Sequence, residues 1–178
     1  MKKKFDMDLS QISTIFFDVD GVFTDGCFYI SDNNITLTKF NVHDGMGCIL
    51  LKEAGLELLI LTARHSDAVI QRFKGLGINK IFTKVLNKQN FIRKYTRDNN
   101  LTKNEIAMMG DDLQDLAAID EVGLFLTTPD AIDTVKDNAH YITKKLSGNG
   151  AVREICDLII LSRGSNSSLE FQRYVEKR

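Results

Sequence analysis

The chain has 178 residues, of which 43% are hydrophobic and 26% charged, and its formal net charge is −1. These values are typical of one globular domain with a sizeable core. The balanced charge argues against a nucleic-acid partner, and no stretch approaches the ~20 apolar residues of a membrane-spanning helix. We therefore expect neither nucleic acid nor membrane as a partner.

The N-terminal lysines and the cysteines bear on the compartment. No apolar segment follows the lysine run 2–4, so this run predicts a solvated terminus rather than a secretion signal. Cys27, Cys48 and Cys156 are odd in number and far apart along the chain. This spacing favours free thiols in a reducing cytoplasm over a disulfide framework.

Short apolar segments alternate with helix-like segments for most of the length, which predicts a three-layer, doubly wound α/β fold with a parallel sheet. The segment 57–61 is apolar on both faces, as a central parallel strand requires. Strands are predicted at 12–17, 57–61, 106–109 and 122–126, with short edge strands at 80–82 and 141–142.

Helices are predicted to fill the gaps between these strands. Asp44 is expected to cap a helix that runs to about residue 54, and Ser66 to cap a second one that ends at Gly75 or Gly77. Pro129 suits the first turn of another helix, which reaches about residue 135. Further helices are predicted around 91–99, 113–119 and 151–161.

Two segments break the alternation. Apolar residues on both sides of the polar turn 31–34 predict a β-hairpin over 27–40. A lone hairpin is marginal in water, so we expect it to pack on the same chain or on another subunit. We divide the chain into a domain at 1–164, which carries the hairpin as an insertion and has no cap domain, and a tail at 165–178. The tail is predicted to be either disordered or docked on a neighbouring subunit.

Two acidic pairs follow predicted strands. Asp18 and Asp20 come at the end of the first strand, and Asp111 and Asp115 follow the strand at 106–109. Alone, the pair at 111 and 115 would be a helix cap, whereas the pair at 18 and 20, which follows an apolar strand, already favours a functional site. Together they predict carboxylates at one edge of the sheet, where like charges oppose ionisation unless a cation is bound. Oxygen-only ligands favour Mg²⁺.

Two more polar residues are placed to act on a phosphoryl group. Thr62 directly follows the strand at 57–61, and Lys88 precedes a predicted helix. Alone, the threonine would be a cap and the lysine a surface charge. Beside Mg²⁺, a hydroxyl and an ammonium can hold phosphoryl oxygens, and positioning with charge stabilisation supplies most of what phosphoryl transfer needs.

These motifs resemble, in the same order, the four motifs of the haloacid dehalogenase superfamily, and the likeness extends over about 12–161. The motifs are at 18–21, 62, 88 and 110–115. Within the superfamily the chain is similar to the small capless subgroup that contains the 3-deoxy-D-manno-octulosonate 8-phosphate phosphatases. That likeness is carried by residues 18–26, 40–47, 62–64 and 148–157.

The resemblance implies a role for each acidic residue. Asp18 would be the nucleophile that forms an aspartyl-phosphate, and Asp20 the general acid and then the general base. Asp18, Asp111 and the backbone carbonyl of Asp20 would bind Mg²⁺. Asp115 and Asp112 would not bind the metal themselves but would orient the groups that do.

The resemblance also implies how the substrate is held. Thr62 and Lys88 would hold phosphoryl oxygens, with help from the backbone amide near Gly21. Arg64 would meet an acid group on the substrate, because a guanidinium suits bidentate carboxylate recognition. Asn149 stands where relatives often carry a basic residue, and we expect it to contact substrate.

The implied activity is Mg²⁺-dependent hydrolysis of an acidic 3-deoxy sugar phosphate in lipopolysaccharide precursor synthesis, by a cytoplasmic homotetramer. A neighbour's tail would close the pocket that a cap domain closes elsewhere. Because of Asn149, a nine-carbon, sialic-type acid 9-phosphate is the alternative substrate. Two other classes stay open: a catalytically silent oligomeric binding protein, and a phosphorylated receiver domain. In a receiver, however, the acceptor aspartate follows a middle strand and the acidic pair follows the first.

Overall fold

The structure is a computed structural model of the chain and describes residues 8–33 and 35–178. The lysine run 2–4 and Asn34 of the predicted hairpin turn lie outside the described residues.

The strands lie close to their predicted positions. They are β1 (Thr14–Phe17), β2 (Tyr29–Ile30), β3 (Thr36–Leu37), β4 (Glu57–Leu61), β5 (Ile81–Phe82), β6 (Ile106–Met109), β7 (Leu124–Thr127) and β8 (Tyr141–Ile142). Six of them form one parallel sheet in the order β5–β4–β1–β6–β7–β8, and β2 pairs with β3 in a separate hairpin. The predicted α/β fold with a parallel sheet is confirmed.

Seven α-helices are present in the described residues. They are α1 (Val42–Glu53), α2 (Asp67–Gly75), α3 (Lys88–Asp98), α4 (Leu113–Leu116), α5 (Asp133–Asn138), α6 (Ala151–Ser162) and α7 (Ser167–Glu176). The cap predicted at Ser66 is confirmed, because its side chain accepts the N–H of Val69 at the start of α2.

Two helix starts were predicted wrongly. Asn41, not Asp44, caps α1, since its side chain accepts the N–H of His43. Asn41 and Asp44 are three residues apart and both can cap; the earlier one does so. Pro129 does not begin a helix: α5 starts at Asp133.

The core lies on both faces of the sheet. Along β1, Ile15 and Phe17 point into one apolar layer and Phe16 into the other, as the two-residue period of a strand requires. The first layer includes residues of α1, α2 and α6, and the second includes residues of α3 and α5. Helices on both faces leave the carboxyl-end edge of the sheet as the place where polar groups gather.

The hairpin exposes apolar side chains. Phe28, Tyr29, Ile30, Ile35 and Leu37 each keep between 46% and 69% of their surface accessible. The chain itself therefore leaves these side chains largely uncovered.

The segment after α6 is helical in the structure. Helix α7 packs on α1, and Glu170 is fully buried and pairs with Arg173. A second ion pair joins Lys177 to Glu53 of α1. The division of the chain at residue 164, and docking of the tail on a neighbour, stay predictions. Within the described residues, no helix is both long and apolar enough to span a membrane.

Candidate active site

Three carboxylates meet at the carboxyl edge of the sheet. Strands β1 and β6 are parallel neighbours with Phe17 opposite Met109, so the residues that follow them emerge side by side. One oxygen from each of Asp18, Asp111 and Asp115 lies within 4.8 Å of the others. The convergence expected for Asp18 and Asp111 is therefore present.

Lys88 joins two of these carboxylates. It is the first residue of α3, and its side chain is only 2% exposed. The ammonium nitrogen lies 2.7 Å from Asp18 Oδ1 and also pairs with Asp115 Oδ1. Burial alone would lower the pKa of Lys88, but the charges of Asp115 and Asp18 outweigh that effect and raise it. The lysine thus supplies a fixed positive charge inside the acidic cluster.

Both oxygens of Asp115 already have partners in the protein. Oδ1 accepts the ammonium of Lys88, and Oδ2 accepts the backbone N–H groups of Asp111 (3.0 Å) and Asp112 (3.3 Å). These bonds shape the turn after β6 and aim Asp111. Such a carboxylate orients its neighbours rather than offering free lone pairs to a metal.

The other two carboxyl groups are hard to ionise without a cation. Burial, followed by repulsion from Asp115, raises the pKa of Asp18 to about 7. Burial, followed by repulsion from Asp115 and Asp18, raises the pKa of Asp111 to about 8. Two close carboxylates that resist ionisation are a donor set that a hard divalent cation would fit.

Gly21 leaves room beside this donor set. Its φ is +77°, and a Cβ built at this position would lie 1.9 Å from Asp111 Oδ2. Backbone therefore approaches the carboxylate as closely as a glycine allows. The Gly21 N–H donates to the Thr24 hydroxyl at 3.2 Å.

Thr62, Arg64 and Asp20 lie along the same edge. Thr62 follows β4, which pairs with β1, and is 4% exposed; its hydroxyl oxygen accepts the Arg64 N–H at 3.2 Å. The hydroxyl proton can then be donated to a ligand oxygen. The Arg64 guanidinium lies 3.3 Å from both oxygens of Asp20 and 4.1 Å from the centre of the Phe28 ring. The side chain of Asp20 thus faces Arg64, outside the three-carboxylate cluster.

Two predicted site residues have other contacts. Asp112 is exposed and accepts the N–H of Leu113 at the start of α4. The Asn149 amide donates to the carbonyl of Ser147, and the residue borders an open cavity with His43, Lys144 and Arg153. None of the acidic residues of the cluster lines this cavity, and within the described residues no hydrogen bond joins Asn149 to them.

Sequence reasoning missed two further acids, the buried Asp44 and the exposed Asp130, that bind the segment around the start of α6. Asp44 accepts backbone N–H groups at the start of α6, and Asp130 accepts the N–H and hydroxyl of Ser147. The one signal in the sequence was that Asn41, three residues before Asp44, can cap α1 in its place, which leaves the Asp44 side chain available for another contact.

Comparisons with known proteins identify relatives of this chain. The family model of haloacid dehalogenase-like hydrolases matches residues 75–155. The 3-deoxy-D-manno-octulosonate 8-phosphate phosphatase of Escherichia coli is 35% identical over 153 residues, which span 86% of this chain and 81% of that protein. The protein of the same name from Yersinia pestis is 33% identical over 154 residues, or 86% and 82% of the two chains.

Solved structures give the same result. The 3-deoxy-D-manno-octulosonate 8-phosphate phosphatase from Moraxella catarrhalis, in complex with a magnesium ion, a phosphate ion and a KDO molecule, aligns with a TM-score of 0.85 and 32% identity, covering 96% of this chain and 95% of that one. The cobalt-bound deoxy-D-mannose-octulosonate 8-phosphate phosphatase from Haemophilus influenzae aligns with a TM-score of 0.86 and 30% identity, covering 95% and 99%. This chain therefore belongs to the family of haloacid dehalogenase-like hydrolases.

Proposed function

We propose that this chain is a Mg²⁺-dependent phosphatase that hydrolyses 3-deoxy-D-manno-octulosonate 8-phosphate in lipopolysaccharide precursor synthesis. The observation that carries the proposal is the meeting of Asp18 and Asp111, with Lys88 between Asp18 and Asp115, at the end of parallel strands. The eight-carbon substrate is supported by the similarity to the Escherichia coli and Moraxella catarrhalis phosphatases.

In the first half of the reaction, an Asp18 oxygen attacks phosphorus and forms a P–O bond as the bond to the sugar oxygen breaks. Asp20 gives its proton to that leaving oxygen. Lys88 fixes the attacking carboxylate at 2.7 Å, and Thr62 holds a phosphoryl oxygen. Bound Mg²⁺, held by Asp18, Asp111 and the Asp20 carbonyl, would neutralise charge on the phosphoryl group.

In the second half, Asp20 takes a proton from water, whose oxygen attacks phosphorus. The bond to Asp18 breaks, which releases inorganic phosphate and restores the carboxylate. Asp115 and Asp112 hold the turn after β6, and Asp115 keeps Lys88 in place.

Arg64 is proposed to bind the substrate carboxylate. In the structure it pairs with Asp20 and lies over Phe28, on the exposed side of the site. Gly21 and Asn149 are proposed to contact the phosphoryl group and the sugar, respectively.

The chain is further proposed to act as a homotetramer in the cytoplasm. The uncovered apolar side chains of the hairpin are suited to bury one another between subunits. The three cysteines are free, two of them buried, which fits a reducing compartment. Light scattering tests the assembly: a particle of 20.1 kDa, the mass of one chain, would contradict it.

The function is tested with purified wild type and Asp18→Asn on eight- and nine-carbon ulosonic acid phosphates. We expect the wild type to release phosphate with Mg²⁺, to lose this activity with chelator, and to prefer the eight-carbon ester by kcat/KM. Asp18→Asn should fold and be inactive. Equal or better use of the nine-carbon ester would overturn the substrate, and wild-type inactivity on every phosphate monoester would overturn the enzyme.

A further inference from the structure

A tight turn at 147–150 packs against the loop that follows β1. The Gly148 N–H donates to the carbonyl of Val22 at 3.0 Å. Gly148 has a φ of +58°, and a Cβ there would lie 2.7 Å from the carbonyl carbon of Thr24. Two backbones thus touch at a position where only glycine fits.

The supported loop carries groups of the candidate active site. The N–H groups of Val22, Phe23 and Thr24 all donate to the Val19 carbonyl, which makes this segment a compact turn. The Thr24 hydroxyl accepts the Gly21 N–H, and Gly21 in turn lies against the carboxylate of Asp111. A shift of the loop would therefore also move Asp20, which lies within it.

The turn at 147–150 is anchored from α1. Asp44 is fully buried, and its oxygens accept the N–H groups of Gly150 (3.2 Å) and Arg153 (2.8 Å) at the start of α6. The Arg153 guanidinium pairs with Asp157 instead, at 2.8 Å. Asp44 thus binds backbone, at the helix end where a negative charge is most stabilised.

We propose that Asp44 is a positioning residue for the phosphatase reaction, since its bonds to α6 hold Gly148 against the loop that carries Asp20. This inference rests on the proposed function for its kinetic consequence, but not for its structural one. Asp44 touches no reacting group. Its effect passes through the turn at 147–150, whose other end is fixed by Asp130 through Ser147.

The test compares Asp44→Ala and Asp44→Asn with Val135→Ala. Val135 is fully buried on α5 in the opposite layer, so its truncation destabilises the fold without touching the turn. Hydrogen exchange is measured over 19–26 and 147–153, and kcat and KM are measured on an aryl phosphate at a temperature where every variant is folded.

We expect Asp44→Ala to speed exchange over 19–26 by about tenfold or more relative to Val135→Ala. Its kcat should fall by about tenfold or more with KM changed by less than about twofold, because proton transfer by Asp20 depends on orientation. Asp44→Asn keeps one acceptor oxygen and should be intermediate; it carries the test if the alanine variant does not fold.

If the exchange rate over 19–26 in Asp44→Ala equals that in Val135→Ala, or if kcat is unchanged, then Asp44 is only a structural cap and the proposal is overturned. If the wild type itself proves inactive on phosphate esters, the proposed function fails, and the exchange result alone decides whether Asp44 holds the loop.

Discussion

Replacing Lys88 by methionine removes the ammonium group that lies between Asp18 and Asp115. The side chains are similar in length, so the change is chiefly one of charge. Lys88 is 2% exposed, and the Asp18 and Asp115 side chains are 11% and 1% exposed, so water cannot substitute for the ammonium.

The expected cost follows from this burial. Two unit charges 2.7 Å apart attract by about 6 kcal/mol at an effective dielectric constant of about 20, and much of that is offset by desolvation. Removing one partner of a buried pair nevertheless costs about 3–5 kcal/mol, because the remaining charge stays buried without compensation. We expect Lys88→Met to lose about that much free energy of unfolding at pH 8 in chelator.

The assay is urea unfolding of the metal-free protein, with Lys94→Met as the control. Lys94 is an exposed lysine of the same helix, and its loss should cost less than about 0.5 kcal/mol. At pH 5.5 the loss for Lys88→Met should shrink, since Asp18, with a pKa of about 7, is then protonated. A loss at pH 8 no larger than that of Lys94→Met would refute the ion-pair reasoning.

Three further predictions concern the metal, the pH and the substrate. Gly21→Ala should weaken Mg²⁺ binding by about tenfold or more, measured by calorimetry, because the Cβ of the new alanine would displace the Asp111 carboxylate. An unchanged Mg²⁺ affinity would count against the proposed metal site. In chelator, the free energy of unfolding should fall as the pH rises from about 5 to 8. The pKa values of Asp18 and Asp111, about 7 and 8, are raised, so the folded chain keeps protons that the unfolded chain has lost. The gain in melting temperature from Mg²⁺ should grow over the same range, and a flat profile would contradict this. Phe28→Ala should raise KM for the sugar acid phosphate about threefold and leave KM for an aryl phosphate unchanged, because the Phe28 ring holds the Arg64 guanidinium in place. Equal changes in KM for both esters would show that Arg64 does not bind the substrate carboxylate.

The sheet and the acidic cluster were predictable because each depends on local pattern. Apolar runs such as 57–61 and 106–109 mark buried parallel strands, and parallel strands must end at one edge. Asp18, which follows β1, and Asp111, which follows β6, were therefore expected at that edge, and they lie close together because β1 and β6 are neighbours in the sheet.

The contacts that hold the site together were not predictable in this way. Asp44 binds residues more than a hundred positions away, at 150 and 153. The spacing of apolar residues within a helix or strand carries no information about such a distant contact. The partner of Arg64 was likewise hidden, because an exposed arginine can reach several carboxylates. The expectation that Asn149 contacts substrate came only from a motif comparison. In the structure, its side-chain amide donates to the carbonyl of Ser147.

Covalent trapping tests the central claim most directly. Asp20→Asn should slow hydrolysis of the intermediate, so the variant is mixed with substrate and Mg²⁺, quenched in acid and digested for mass spectrometry. We predict one added phosphoryl group, located on Asp18 and absent when chelator is present. Phosphorylation of a different residue, or none under conditions where the wild type turns over, would contradict a mechanism in which Asp18 attacks phosphorus beside a bound cation.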